Sequence, residues 1–203
     1  MPIIHPTYFP SIAHFVVLAK HNNVTFEVND NYQKQTYRNR MYIYGPSGKQ
    51  SLTVPMKHTK KDGHQKCKDV LIENNFNWQK QHWKTLETAY RTSPFFEFYE
   101  DEFAALFERK FNYLMDLNFE SISLLADCLQ LEIDLDNVTK AYELALENDY
   151  RDLVDFKKGR KPQFEEYTQV FNDKAGYLNN LSTLDLLFNE GTNALTFLEN
   201  QSV

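Results

Sequence analysis

No run of the sequence is long and apolar enough to cross a bilayer. The longest, Ala13 to Ala19, is interrupted by His14 and stops at Lys20, against the ~20 apolar residues a spanning helix needs. The opening MPIIHPTYFP has neither a basic n-region nor an apolar h-region, so no secretory signal is expected. Cysteine is scarce: Cys67 and Cys128 lie far apart, which excludes a disulfide framework and suits a reducing compartment. A cytoplasmic location is the expectation. The sequence also lacks a P-loop, a GxGxxG and a GxSxG. Those absences remove the standard phosphate-cradling, dinucleotide and serine-hydrolase signatures. No repeat or low-complexity block occurs.

What is present describes a folded chain. Hydrophobic residues make up 42% and charged residues 25% of the 203 residues, close to globular averages, which excludes disorder as the main state. The 16 Phe, 12 Tyr and 2 Trp each remove roughly 150–250 Å² from water when buried, enough for a sizeable core. Length predicts a single domain over residues 1–203. The net charge of −6 is unevenly placed. Residues 1–91 hold 13 Lys+Arg and 6 Asp+Glu, a net of +7, and residues 92–203 hold 9 and 22, a net of −13. All 6 histidines and both tryptophans fall in the first 83 residues. The chemistry is therefore expected in the basic first half, with the acidic second half as scaffold or partner surface.

The pattern predicts an α/β fold: a mostly parallel sheet with a β-hairpin in the N-terminal half, and a helix-rich C-terminal half. Residues 2–5 (PIIH) read as a buried strand, 12–21 as a helix and 24–28 (VTFEV) as a second strand, the start of a βαβ unit. Residues 36–44 (TYRNRMYIY) alternate as a strand, Gly45-Pro46-Ser47-Gly48 turn, and 49–55 return as a hairpin partner. Residues 57–68 form a basic loop and 69–73 another strand. Asn77 caps a helix to Arg91 whose inward arc holds Trp78, His82, Trp83, Leu86, Ala89 and Tyr90, while Lys80 and Lys84 face solvent. Ser93-Pro94 is placed as N-cap and N1 of a helix to about Lys110. A further helix covers about 116–130, a short strand 131–135, and the run of Lys and Arg over 157–161 reads as loop. Ser182 with Asp185 resembles a capping box, with Leu181 and Leu186 as its staple. Gly191 ends that helix and a last one finishes near Asn200.

Several residues are candidates for chemistry. Lys34, Arg38 and Arg40 are close together, and alternation places Arg38, Arg40, Tyr42 and Tyr44 on one strand face, opposite Asn39. Guanidinium forks match phosphate or carboxylate; the alternative is a solvated face paired to the acidic half. The loop from His5 to Pro10 joins a strand to a helix, where open α/β sheets bind ligands. Ser11-Ile12-Ala13-His14 resembles the HxGH element of nucleotidyltransferases, with Ser and Ala in place of its first His and its Gly. There His14 would help hold a cofactor phosphate; otherwise it is a packed or surface histidine. His82 is either a satisfied core histidine or a general base near neutral pH. His58, His64 and Cys67 have metal-type side chains, but a fourth ligand is missing and lysines surround them, so no metal is expected.

The chain resembles the WbqC-like family of bacteria. The resemblance rests on H-P-T-Y-F-P (5–10), N-Y-Q-K-Q-T-Y-R-N-R (31–40), L-T-V-P (52–55), W-Q-K-Q-H-W-K-T-L-E-T-A-Y (78–90), Y-T-Q-V-F (167–171) and N-L-S-T-L-D-L-L-F-N-E-G (180–191). These blocks come in the family's order across nearly the whole chain. Where the family commonly has Gln-Pro, this chain has His5-Pro6. The resemblance implies a part in bacterial surface-polysaccharide (O-antigen type) biosynthesis, and the movement of an acyl or aminoacyl group such as glycine onto an amino sugar carried on a nucleotide.

Two functions are therefore expected as alternatives. In the first, a transferase, Lys34, Arg38 and Arg40 hold phosphate, Asn39 bonds a sugar hydroxyl or carbonyl where the sheet leaves its face open, and Tyr8 and Trp78 stack on the substrate. His82 is the base, with His5 as its rival. The acyl donor and any cofactor are open: a thioester, an aminoacyl-tRNA, or an adenylate made in place at His14. In the second, a non-catalytic anion- or sugar-nucleotide-binding assembly protein, the acidic half meets a protein partner. Duplex nucleic acid is not expected, because the acidic half repels a phosphate backbone.

Overall fold

The computed structural model describes residues 1–21, 23–57, 65–144 and 147–203. The fold is α/β, as the pattern predicts. β1 (Ile3–Ile4) and β2 (Thr25–Phe26) pair in parallel, Ile3 with Thr25 and Ile4 with Phe26, joined by α1 (Ile12–Lys20). Single parallel bridges extend this ribbon on both edges, Phe26 to Val138 and Ile3 to Asp149. The parallel part is thus short and completed by the second half of the chain. The longer sheet is the hairpin of β3 (Arg40–Gly45) and β4 (Gly48–Thr53), antiparallel from Arg40↔Thr53 to Gly45↔Gly48. Gly48 closes the turn at φ 101°, a conformation glycine adopts without steric cost.

α2 (Trp78–Tyr90), α3 (Phe96–Glu108), α4 (Leu114–Leu129), α5 (Asn172–Ala175), α6 (Thr183–Glu190) and α7 (Ala194–Asn200) follow. Residues Ile12 to Leu18 of α1 are all buried, so this helix is enclosed on every side, with α6 and α7 packed against it. α2 buries the predicted arc against α3 and β3, and Lys80, Lys84 and Arg91 remain outside. Gly191 ends α6 at φ 56°, and a Cβ there would sit 2.5 Å from the Phe95 ring.

The structure corrects several expected elements. Tyr37–Asn39 is a 3₁₀ turn rather than strand. It is pinned from outside: Tyr8 N–H donates to the Tyr37 carbonyl (3.2 Å) and the Asn118 amide to the Arg38 carbonyl (2.9 Å). Residues 69–73 make only single bridges, Leu71 to Tyr113 and Met56 to Ile72, and 131–135 form no strand. α3 starts at Phe96, because the Ser93 hydroxyl turns back to the Tyr90 carbonyl (2.7 Å) and finishes α2.

Ser182 does cap α6, accepting from Leu184 N–H, but Asp185 makes no reciprocal bond. Its carboxylate is fully buried and accepts from Tyr90 Oη (2.7 Å), Tyr167 Oη (2.6 Å) and Gln169 Nε2 (3.0 Å). Asp185 thus ties α2 and the 167–169 segment to α6. Burial pushes its pKa up from 3.8 to about 6, against the three hydrogen bonds, which pull it down. The folded chain therefore binds this proton more tightly than the unfolded chain. The resulting stabilisation is complete below about pH 3.8 and is lost as pH rises through about 6, a change on the order of 3 kcal/mol. Asp185→Asn removes the titration. Its melting temperature relative to the parent should shift in the variant's favour between pH 4 and 7 (~ the span of the titration); parallel profiles would contradict this account.

Candidate functional site

Because β1 and β2 run parallel, both end at one edge, and the next residues are His5 and Glu27. Ligand crevices of open α/β sheets lie beyond the carboxyl ends of strands. The His5 ring is 4% exposed. A hydrogen bond to the Glu27 backbone holds one ring nitrogen, and Nε2 accepts from Arg38 Nη2 at 3.0 Å. This arrangement assigns the proton to Nδ1. Burial, and then the Arg38 charge, hold the His5 pKa well below 6.5, so the ring is neutral near pH 7. Arg38 also ion-pairs with Asp30 Oδ2, which lies 3.3 Å from His5 Nε2. Arg38 is buried and its Nε is unpartnered.

Glu27 is wholly buried. Its Oε1 accepts from Asn29 N–H (2.7 Å) and Thr139 Oγ1 (2.9 Å), and Oε2 faces Arg151 Nη1 at 3.5 Å. Arg151 forks onto Asp149, with Nε at 2.9 Å and Nη2 at 2.6 Å, and those bonds hold the Asp149 carboxyl below its ordinary range. Arg160 Nε donates to Asp152 (2.9 Å) and its Nη2 to the Asp149 carbonyl (2.7 Å).

His5, Asp30, Arg38, Asp149, Arg151, Asp152 and Arg160 line an open cleft of about 490 Å³, with Tyr142 and Lys158 also on its wall and Glu27 buried beneath. Carboxylates and guanidiniums alternate around it. Behind His5 and Arg38 a second cavity measures only about 10 Å³, room for one water at most. An incoming group therefore meets His5 and Arg38 from the larger cleft.

The model of the WbqC-like protein family matches residues 5–159. The chain belongs to that family. An uncharacterized Mycobacterium tuberculosis protein, Rv1507c, is 30% identical over 144 residues, covering 70% of this chain. The chain spans 61% of the length of that relative. No solved structure matches.

The structure scatters the other candidate residues of this WbqC-like chain. Arg40 does not share a face with Arg38, since the 3₁₀ turn separates them. Its guanidinium bonds Thr53 Oγ1 (3.0 Å) on the hairpin. Lys34 is exposed and lines neither the cleft nor the small cavity. Asn39 is buried and gives its amide to the Val54 carbonyl (2.9 Å), so no open sheet face presents it to a sugar. Tyr8 and Trp78 pack edge to face at 6.3 Å inside the core and offer no free ring surface.

His82 is interior as well. Its Nδ1 accepts from Tyr8 Oη (3.0 Å) and its other nitrogen bonds the Thr53 backbone, while burial lowers its pKa to about 4. It lines neither the cleft nor the small cavity. This is the geometry of a satisfied core histidine. His14 is 1% exposed, bonded to Ser11 Oγ (2.9 Å), with burial lowering its pKa to about 3. That placement turns it away from a cofactor phosphate. His58 and His64 lie outside the described residues. Among the described residues, no three His, Cys, Asp or Glu side chains gather as a metal site, and no helix is long and apolar enough to cross a membrane.

Asp149, Arg151, Asp152, Lys158 and Arg160 come from the half expected to be scaffold. The run 157–161 was the available signal, and its interruption by Gly159 reads naturally as loop. Removing Arg151 leaves Glu27 buried without its cation. Arg151→Ala should destabilise the fold by about 3 kcal/mol, and Glu27→Gln added to it should recover part of that loss. Chemical denaturation of the single and double variants measures both; additive losses would contradict the pairing.

Proposed function

We propose that this chain is a transferase that moves an acyl or aminoacyl group onto an amino sugar carried on a nucleotide, in bacterial surface-polysaccharide biosynthesis. The observation carrying the reading is His5: a neutral imidazole at the ends of two parallel strands, opening on a cleft of alternating carboxylates and guanidiniums. Such a lining suits a polyhydroxylated ligand, because carboxylates accept from hydroxyl groups while guanidiniums and Lys158 donate. Tyr142, 43% exposed, offers a ring edge at the rim. Family membership supports the polysaccharide context.

In this reading the sugar amine attacks the acyl carbonyl. The new C–N bond forms, the donor's leaving group departs, and His5 Nε2 takes the amine proton and returns it to the leaving group. Arg38 turns a donor toward the developing oxyanion or a phosphate. The Glu27 backbone holds the ring and its tautomer, and Asp30 holds Arg38 by their ion pair. His82 serves the core. The second reading, a sugar-nucleotide-binding assembly protein, draws on the pairing of Arg38, Arg151 and Arg160 with carboxylates, which suits holding a ligand without turnover.

Nucleotide-linked amino sugars incubated with acyl thioesters or aminoacyl-tRNA, read by mass spectrometry, decide between them. An acylated sugar is expected, and His5→Gln should slow its formation by about 10²–10⁴. His82→Gln should keep specific activity while losing about 1–3 kcal/mol of stability. Sugar binding without product from the parent protein would favour the assembly reading. Product formation that survives His5→Gln and fails in His82→Gln would reverse the assignment of the base.

A further inference from the structure

A second cleft, of about 410 Å³, lies on the other side of Asp155 and Arg160, which line both clefts. Lys49 reaches it from the start of β4, and Lys157 and Lys161 from the 157–161 run. The basic half of the chain and the one basic run of the acidic half therefore meet here. No carboxylate among the described residues lies within ion-pair distance of any of the three ammonium groups. Lys49 Nζ instead rests 4.7 Å from the Tyr42 ring centre and 4.6 Å from that of Phe156. Lys157 Nζ has the Gln35 side-chain amide at 3.2 Å.

Of the wall's other charges, Arg160 is offset by Asp152, and one carboxylate, Asp155, stands against the three lysines. The Asp155 carboxylate accepts the Lys157 and Lys158 backbone N–H groups at 2.9 and 3.0 Å. Three like charges around one concavity repel one another, in a chain whose net charge is −6. One multivalent anion relieves all three. Part of the remaining wall is apolar, with Phe156 stacked on Tyr42 at 4.5 Å beside Tyr37 and Pro162, and Gln163, Asn179 and Asn180 supply amides to the rest.

We propose that this cleft is a binding site for a diphosphate group, held by Lys49, Lys157 and Lys161, with the organic part of the ligand against Phe156. A single phosphate satisfies fewer of the cations, and a neutral ligand adds nothing to the one carboxylate, Asp155, that faces them. The site goes beyond the transferase reading and does not depend on His5 chemistry.

Calorimetric titration of the full chain with inorganic pyrophosphate at low salt tests it. Binding is expected, weakening as salt is added. Lys49→Gln combined with Lys161→Gln should reduce affinity about tenfold or more. Both lysines are exposed, so the fold should survive, and Lys161→Glu alone gives an independent variant expected to weaken binding as well. His5→Gln should bind pyrophosphate as the parent does. Absence of binding to the parent, undiminished affinity in the lysine variants, or loss of affinity in His5→Gln would each overturn the proposal. The last result would put the anion in the His5 cleft. Failure here leaves the transferase reading standing, because that reading is decided by product formation.

Discussion

Glu27 is a carboxylate with no exposed surface, and a charge taken out of water has to be met by partners at a cost of several kcal/mol if it is not. Two hydrogen bonds, from Asn29 and Thr139, and the Arg151 guanidinium meet it. That requirement places residues 138–139 and 149–151 beside the short parallel ribbon. Phe26 then bridges to Val138 and Ile3 to Asp149, so strands of two residues each acquire neighbours on both edges. Arg151 orients Asp149, and Arg160 reaches the Asp149 carbonyl. The cleft beyond β1 and β2 is in this sense the outer surface of a solution to a buried-charge problem.

Elements specified by their own neighbours were legible in the sequence. PIIH and VTFEV gave the parallel pair, Gly45-Pro46-Ser47-Gly48 the hairpin turn, and the spacing of Trp78, Leu86 and Ala89 the buried face of α2. Gly191 marked the end of α6. Elements set by distant partners were not legible. Tyr37–Asn39 continues a strand-like alternation, yet Tyr8 and Asn118 bind its carbonyls and hold a turn. Residues 131–135 have an apolar pattern but no partner strand. Asp185 occupies a capping-box position and is claimed by two tyrosines and a glutamine from elsewhere in the chain.

The same division separates His5 from His82. Helical periodicity correctly turns His82 inward, but inward is a direction shared by core and cleft. What distinguishes them is the partner of each ring nitrogen. His82 has both taken by Tyr8 and the Thr53 backbone. His5 has both taken as well, by the Glu27 backbone and Arg38, but Arg38 and the neighbouring Asp30 stand on the cleft wall. No spacing rule carries that information, because Asp149, Arg151 and Arg160 come from a part of the chain that composition marks as acidic scaffold.

Phe9 adopts φ 40°, an uncommon left-handed conformation for a bulky residue, and the chain supports it from far away. Its N–H donates to Ser121 Oγ, its carbonyl accepts from Ser182 Oγ, and the Pro10 carbonyl accepts from Thr183. A ribosome adding roughly 5–20 residues per second delivers Ser182 on the order of 10–30 s after Phe9. Until then the loop that carries His5 lacks the Ser182 and Thr183 contacts that complete its shape. The loop is thus synthesised well before the residues that complete its shape, and it settles only when the chain has reached Thr183.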